Sequence, residues 1–229
     1  MLLQAAGIEP PYVLVAHSWG AILAREFIAR RNERDIVGVV FVEANQERTL
    51  EILDWRPFNL WCATAGIDFM KVLDLEKKNK LSSQEWDAFM RDMGDERNKK
   101  QGDKEWDEYE GSFETLRKKG GLGLGTMILN CPVSIIKGQN GRGLKQLYDA
   151  VLESGHGTGE DREKYEGFLR TFDEKDLELQ SEMRKLSNNS RFVVAANSGH
   201  DVQLTNPEMI VGEVRWILEQ NIDRHDETK

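Results

Sequence analysis

The sequence predicts an α/β protein, a parallel sheet flanked by helices and carrying a helical insertion. Three observations predict it. Short, mostly apolar runs recur at residues 12–16, 36–42, 132–137 and 191–196, the first of them continuously apolar, the pattern of strands buried on both faces. Segments of helical periodicity separate them, and that alternation implies parallel strands joined by right-handed crossovers. The stretch from Gln46 to Ile128 breaks the alternation, with dense charge and four of the six tryptophans (Trp55, Trp61, Trp86, Trp106). The expected organisation is a core from residues 1–45 and 129–229 with a helical insert at 46–128.

The elements follow in order. Met1 to Gly7 has the makeup of the last turns of a helix, with Leu2, Leu3, Ala5 and Ala6 before a glycine stop and Pro10-Pro11 beyond. Tyr12–Ala16 is the first strand. His17-Ser18-Trp19-Gly20 leads into a helix over Ala21–Arg31, with Leu23, Phe27 and Ile28 on one face and Arg30-Arg31 suited to its C-terminus. Ile36–Val42 is the second strand and closes at Glu43-Ala44-Asn45. Inside the insert, Ser82-Ser83-Gln84-Glu85 is a capping box, with Leu81 and Trp86 placed for a hydrophobic staple. Trp86, Phe89, Met90 and Met93 then repeat at amphipathic helical spacing, and the glycines between Gly120 and Gly125 end the insert.

Pro132–Lys137 is the third strand, Lys145–Glu153 a helix and Ser154–Gly159 a loop. Lys164–Leu186 is a long helix with Tyr165, Phe168, Leu169 and Phe172 in phase, and Arg191–Ala196 is the fourth strand. Asn206-Pro207-Glu208 opens the last helix: Asn caps, Pro takes the first position and Glu favours the positive end. That helix carries Val211, Val214, Trp216, Ile217 and Leu218, and Asp223–Lys229 reads as a polar tail.

Composition narrows the function. The chain has 229 residues, 39% of them apolar, enough for a substantial core, and a net charge of −9. A surface of that sign repels phosphate backbones, which argues against nucleic-acid and anionic-membrane partners. No run approaches the roughly 18 apolar residues of a membrane span, and no charged n-region with an apolar stretch opens the chain, so a cytoplasmic location is expected. Cys62 and Cys131 fit neither a disulfide framework nor zinc spacing and read as reduced core thiols.

In open parallel sheets, chemistry collects beyond the carboxyl ends of the strands, and Ser18, Glu43 and His200 stand there. Ser18 sits in Ala16-His17-Ser18-Trp19-Gly20, between a buried strand and a helix, with small residues flanking a sharp turn: the nucleophile-elbow arrangement Gly-x-Ser-x-Gly, with Ala16 in the first glycine's place. The Trp19 N–H, at the helix start, is placed to face an oxyanion with the helix dipole behind it. His200 lies in a loop past the last strand, within Ser198-Gly199-His200-Asp201, and can serve as base to a nucleophile. Such a pair needs an acid to fix the imidazole tautomer. Lys137-Gly138-Gln139-Asn140-Gly141 after the third strand offers no carboxylate and Asp201 adjoins His200 itself, so Glu43 is the acid by elimination. The plain alternatives are a capping serine, a solvated carboxylate and a loop histidine.

With Pro11–Gly20, Val40-Phe41-Val42-Glu43-Ala44 and Ser198-Gly199-His200 in place, the sequence resembles the α/β-hydrolase superfamily. It is similar more narrowly to microbial hydrolases whose acid follows the strand after the elbow, where Asp is usual and Glu43 stands here. The resemblance implies a serine hydrolase acting on a small, apolar ester or acyl substrate through Ser18, His200 and Glu43, without cofactor or metal. It implies that the insert is the helical cap over the pocket. A serine nucleophile argues against dehalogenase and epoxide-hydrolase chemistry. The resemblance further implies strands before the elbow and a His-Gly loop donating a second oxyanion hydrogen bond. Nothing before Pro11 supplies them, so the chain reads as the C-terminal part of such a hydrolase, with Tyr12–Ala16 an exposed edge open to self-association. That gives the alternative of a catalytically impaired remnant or ligand-binding relative.

Other signals are weaker. Gly121–Gly125 lacks the spacing and strand–helix context of a dinucleotide fingerprint, and Gly138–Lys145 lacks the Gly-Lys-Ser/Thr of a phosphate loop. His156 reads as a loop residue, His225 as part of the tail, and His17, just before the elbow, as a packing residue pointing away from it. No metal-ligand spacing is present.

Overall fold

The computed structural model describes residues 2–119 and 129–226. The glycine cluster at the end of the insert therefore lies outside the described residues. After a short helix α1 (Leu2–Ala5) come β1 (Tyr12–His17), α2 (Gly20–Ile28) and β2 (Ile36–Val42). Six helices follow among the described residues: α3 (Thr49–Ile52), α4 (Arg56–Thr64), α5 (Phe69–Val72), α6 (Leu75–Lys78), α7 (Ser83–Gly94) and α8 (Glu96–Lys118). Then come β3 (Val133–Lys137), α9 (Asn140–Glu153), α10 (Gly159–Glu182), β4 (Ser190–Val194), α11 (Val202–Thr205) and α12 (Pro207–Asp226).

The four strands form one parallel sheet in the order β1-β2-β3-β4. Alternate side chains feed two cores, as the period of a strand requires. Val39, Phe41 and Ile135 pack on one face with Ala21, Ile28 and Met183. Val40, Val42 and Ile136 pack on the other with Ile217 of α12. Gly38 permits that second contact, because a Cβ there would lie 2.2 Å from Ile217 Cγ2. A third cluster sits beyond the strand ends, where Leu53, Phe58 and Cys62 meet Leu144, Leu147 and Phe172 of α9 and α10. α8 docks on α2 through Tyr109, Phe113 and Leu116 against Ile22.

Several details differ from the sequence expectation. α2 buries Ala21, Ile22, Arg25 and Ile28 and leaves Leu23 47% exposed. It is covered on two sides, by the sheet and by α8, so no single apolar stripe describes it. Arg25 is buried because it pairs with buried Glu47. α9 begins five residues early, at Asn140. α10 begins at Gly159 behind a second capping box, Thr158 with Asp161, and ends at Glu182, where a 3-10 turn over Met183–Leu186 follows it. α12 continues through Asp226, where composition predicts a polar tail. The capping box at Ser82 and Glu85 forms as expected, and Cys62 and Cys131 are buried and not joined in a disulfide. No described helix is long and apolar enough to cross a membrane.

Candidate active site

The site begins with two matching corners. His17 and Val42 are register partners at the ends of β1 and β2, and the next residue on each strand, Ser18 or Glu43, turns to positive φ (53° and 45°). A side chain at such a corner lifts off the sheet edge, and the left-handed backbone costs a non-glycine residue roughly 1–2 kcal/mol. Backbone bonds hold both corners: Ser18 N–H donates to Val42 O at 3.0 Å, Glu43 N–H to Ile136 O at 2.9 Å and Asn45 N–H to Ser18 O at 3.0 Å. The Ser18 and Trp19 carbonyls accept from Ala21 and Ile22, which opens α2. The Trp19 indole donates to Ser112 Oγ at 2.9 Å, fixing that side chain against α8.

Glu43 is buried, and its two carboxylate oxygens are divided between neighbours. Oε1 accepts the Gly138 N–H, and Oε2 faces His200 Nδ1 at 3.5 Å. The loop after β3 also positions the histidine loop. Gln139 N–H donates to Ser198 O at 2.7 Å, and a Cβ on Gly138 would lie 2.2 Å from Gly199 O, so only glycine lets the two loops approach this closely. Burial works against a charged His200, but the Glu43 carboxylate, with Asp201 and Asp176 behind it, outweighs burial and raises the imidazole above its ordinary pKa.

Ser18, Glu43 and His200 share one cavity of about 440 Å³, within the range of small-molecule sites. Two of the three are in contact. The Ser18 hydroxyl donates to Asn45 Oδ1 at 3.2 Å and makes no hydrogen bond to His200. The walls are largely apolar, with Leu53, Phe89 and Met93 from the segment between β2 and β3, and Leu144, Phe172 and Leu179 from α9 and α10.

Sequence reasoning passed over three residues here. His17 packs, and its packing partner is His200: the ring centroids lie 4.5 Å apart with the planes tilted by 51°, and its Nε2 bonds the His200 carbonyl at 2.9 Å. Burial first, and the nearby His200 charge second, push its pKa down to about 4, so at neutral pH it is an uncharged donor to that carbonyl. Asp176 of α10 reaches the cavity wall and pairs with buried Lys137 at 2.7 Å. Burial and then the Glu43 charge raise its pKa, against the opposing pull of Lys137. Asn45 is the third, and no motif marks it.

His17 carries a prediction. A histidine whose folded pKa is depressed contributes stability that is complete above its unfolded pKa, about 6.5, and is lost as pH falls through the folded value. Thermal melts from neutral pH down to pH near 4 are expected to show a smaller loss of Tm in His17→Phe than in the parent chain. An equal or larger loss would count against the burial-held neutral imidazole.

Among the described residues no group of three or more His, Cys, Asp or Glu is placed to hold a metal ion. The model of the alpha/beta hydrolase family matches residues 2–213. A Gibberella zeae protein described as an AB hydrolase superfamily protein is 33% identical over 226 residues, which is 95% of this chain and 68% of that protein. A Hormonema carpetanum protein described as probable transporter efuK is 28% identical over 224 residues, 96% of this chain and 31% of its own length. An esterase structure from Exiguobacterium antarcticum is similar over 94% of this chain and 69% of that one, at 12% identity and a TM-score of 0.44, which bears on neither activity nor substrate. The family match runs through the elbow, the sheet and the His200 loop, and a third of the residues are shared with one relative along nearly the whole chain: the chain belongs to the alpha/beta hydrolase family.

Proposed function

We propose that this protein is a serine hydrolase acting on a small ester or related acyl compound with an apolar body. Ser18 is the nucleophile, His200 the base and then the acid, Glu43 the group that orients His200, and the Trp19 N–H an oxyanion donor. The observation that carries the reading is that a serine on a left-handed corner and a carboxylate–imidazole contact face one apolar cavity. Attack forms the Oγ–carbon bond while the carbonyl π pair moves onto oxygen and the Oγ proton passes to His200 Nε2. Collapse of that adduct breaks the bond to the leaving oxygen, which takes the proton from His200. Water then repeats the sequence on the acyl-enzyme, releasing the acid and restoring Ser18.

The Ser18–Asn45 bond favours a second reading, a ligand-binding member without turnover, since the hydroxyl is not engaged by His200. A fluorophosphonate probe separates the two, because it needs an activated hydroxyl and no particular substrate. Peptide mapping is expected to find the adduct on Ser18 in the folded chain and none in Ser18→Ala. Folded protein left unlabelled at Ser18 overturns the hydrolase reading in favour of binding alone.

A further inference from the structure

We infer that the side-chain amide of Asn45 is an oxyanion donor, its Nδ2–H stabilising the negative oxygen created when Ser18 attacks. This rests on the hydrolase reading and assigns that site a residue outside the Ser18, His200 and Glu43 set. Asn45 is joined to the elbow twice: its backbone N–H donates to the Ser18 carbonyl at 3.0 Å, and its Oδ1 accepts from Ser18 Oγ at 3.2 Å. It is 7% exposed and lines the cavity.

Its Nδ2 donates no hydrogen bond to protein among the described residues, although a buried amide normally places both of its donors. Oδ1 and Nδ2 hang from one carbon, so the group that touches Ser18 Oγ holds its free N–H at the same corner of the cavity. An oxyanion on an acyl group bonded to Oγ is only one carbon removed from that contact. Of the other polar groups that line the cavity, Gln180 is committed, its Nε2 donating to Ala44 O at 2.9 Å, and Glu43 and Asp176 carry carboxyl groups.

On attack the Ser18 hydroxyl leaves Oδ1, its proton goes to His200, and the new charge meets the Trp19 N–H and Asn45 Nδ2–H. No bond to Asn45 forms or breaks. A donor aimed at charge that exists only in the transition state raises kcat and leaves KM nearly unchanged.

Asn45→Asp is the sharpest test, since it keeps the oxygen that accepts from Ser18 and removes the N–H. Asn45→Ala is its companion, and thermal melts establish that both fold. With a nitrophenyl ester, kcat is expected to fall by about 10²–10³ in Asn45→Ala and further in Asn45→Asp, with KM little changed. Affinity for a trifluoromethyl ketone, which adds to Ser18 as a tetrahedral oxyanion, is expected to fall by a similar factor. Affinity for the matching methyl ketone, which stays planar, is expected to hold. Equal losses for the two ketones, or kcat preserved in folded variants, overturn the assignment. Retained turnover in Ser18→Ala instead removes the hydrolase reading, and this inference with it.

Discussion

Ser18→Ala is expected to lower kcat on a nitrophenyl ester by about 10⁴-fold or more, and to melt below Ser18→Gly. The first effect follows from removing the attacking oxygen while the cavity, Glu43 and His200 stay in place. The second tests the elbow without reference to catalysis. Ser18 is held at φ 53°, where a Cβ crowds the following carbonyl. Both variants lose the bond to Asn45 alike, so their difference isolates the backbone. At an ordinary helix or strand position glycine is the less stable of the two by roughly 0.5–1 kcal/mol. Here the order reverses, with glycine favoured by about 1 kcal/mol, or about 2–4 °C in Tm for a chain of this size. Turnover retained in Ser18→Ala sinks the nucleophile assignment. Ser18→Gly melting below Ser18→Ala sinks the strained corner.

What could be read in advance, and what could not, divides along sequence distance. Strands buried on both faces are continuous apolar runs, so Ile36–Val42 was legible to the residue, and the strand-to-helix corner at Ser18 was legible from small residues around a serine. The burial of α2 was misread at Leu23 because periodicity assumes one covered face, and α8, some 80 residues onward, covers a second. The same limit hid the rest of the site. His17 meets His200 across 183 positions, and Lys137 meets Asp176 only because α10 folds back over the strand ends. Asn45 was passed over for another reason: it lies one residue past the stretch Val40–Ala44 that carries the resemblance, and its place beside Ser18 comes from the register that pairs β1 with β2. Local pattern shows where chemistry can gather, whereas contact partners depend on how distant segments are laid over that edge.

Replacing Glu43 by glutamine is expected to cost about 10⁴-fold in kcat and to move the acid limb of the pH profile down. The amide oxygen can still accept the Gly138 N–H, so the fold is retained, but the charge facing His200 Nδ1 is gone. In the parent chain burial lowers the His200 pKa, and Glu43, then Asp201 and Asp176, raise it further than burial lowers it. The neutral imidazole is the base, so kcat/KM rises with pH through that elevated value. Without Glu43, burial dominates and the same rise occurs at lower pH. Stability carries the matching sign. A raised histidine pKa contributes stability that is complete below the unfolded value, about 6.5, and is lost as pH rises through the folded one. Glu43→Gln is therefore expected to lose more Tm, relative to the parent, in mild acid than in alkali. An acid limb that stays in place, with a Tm difference independent of pH, would mean that Glu43 does not act on His200.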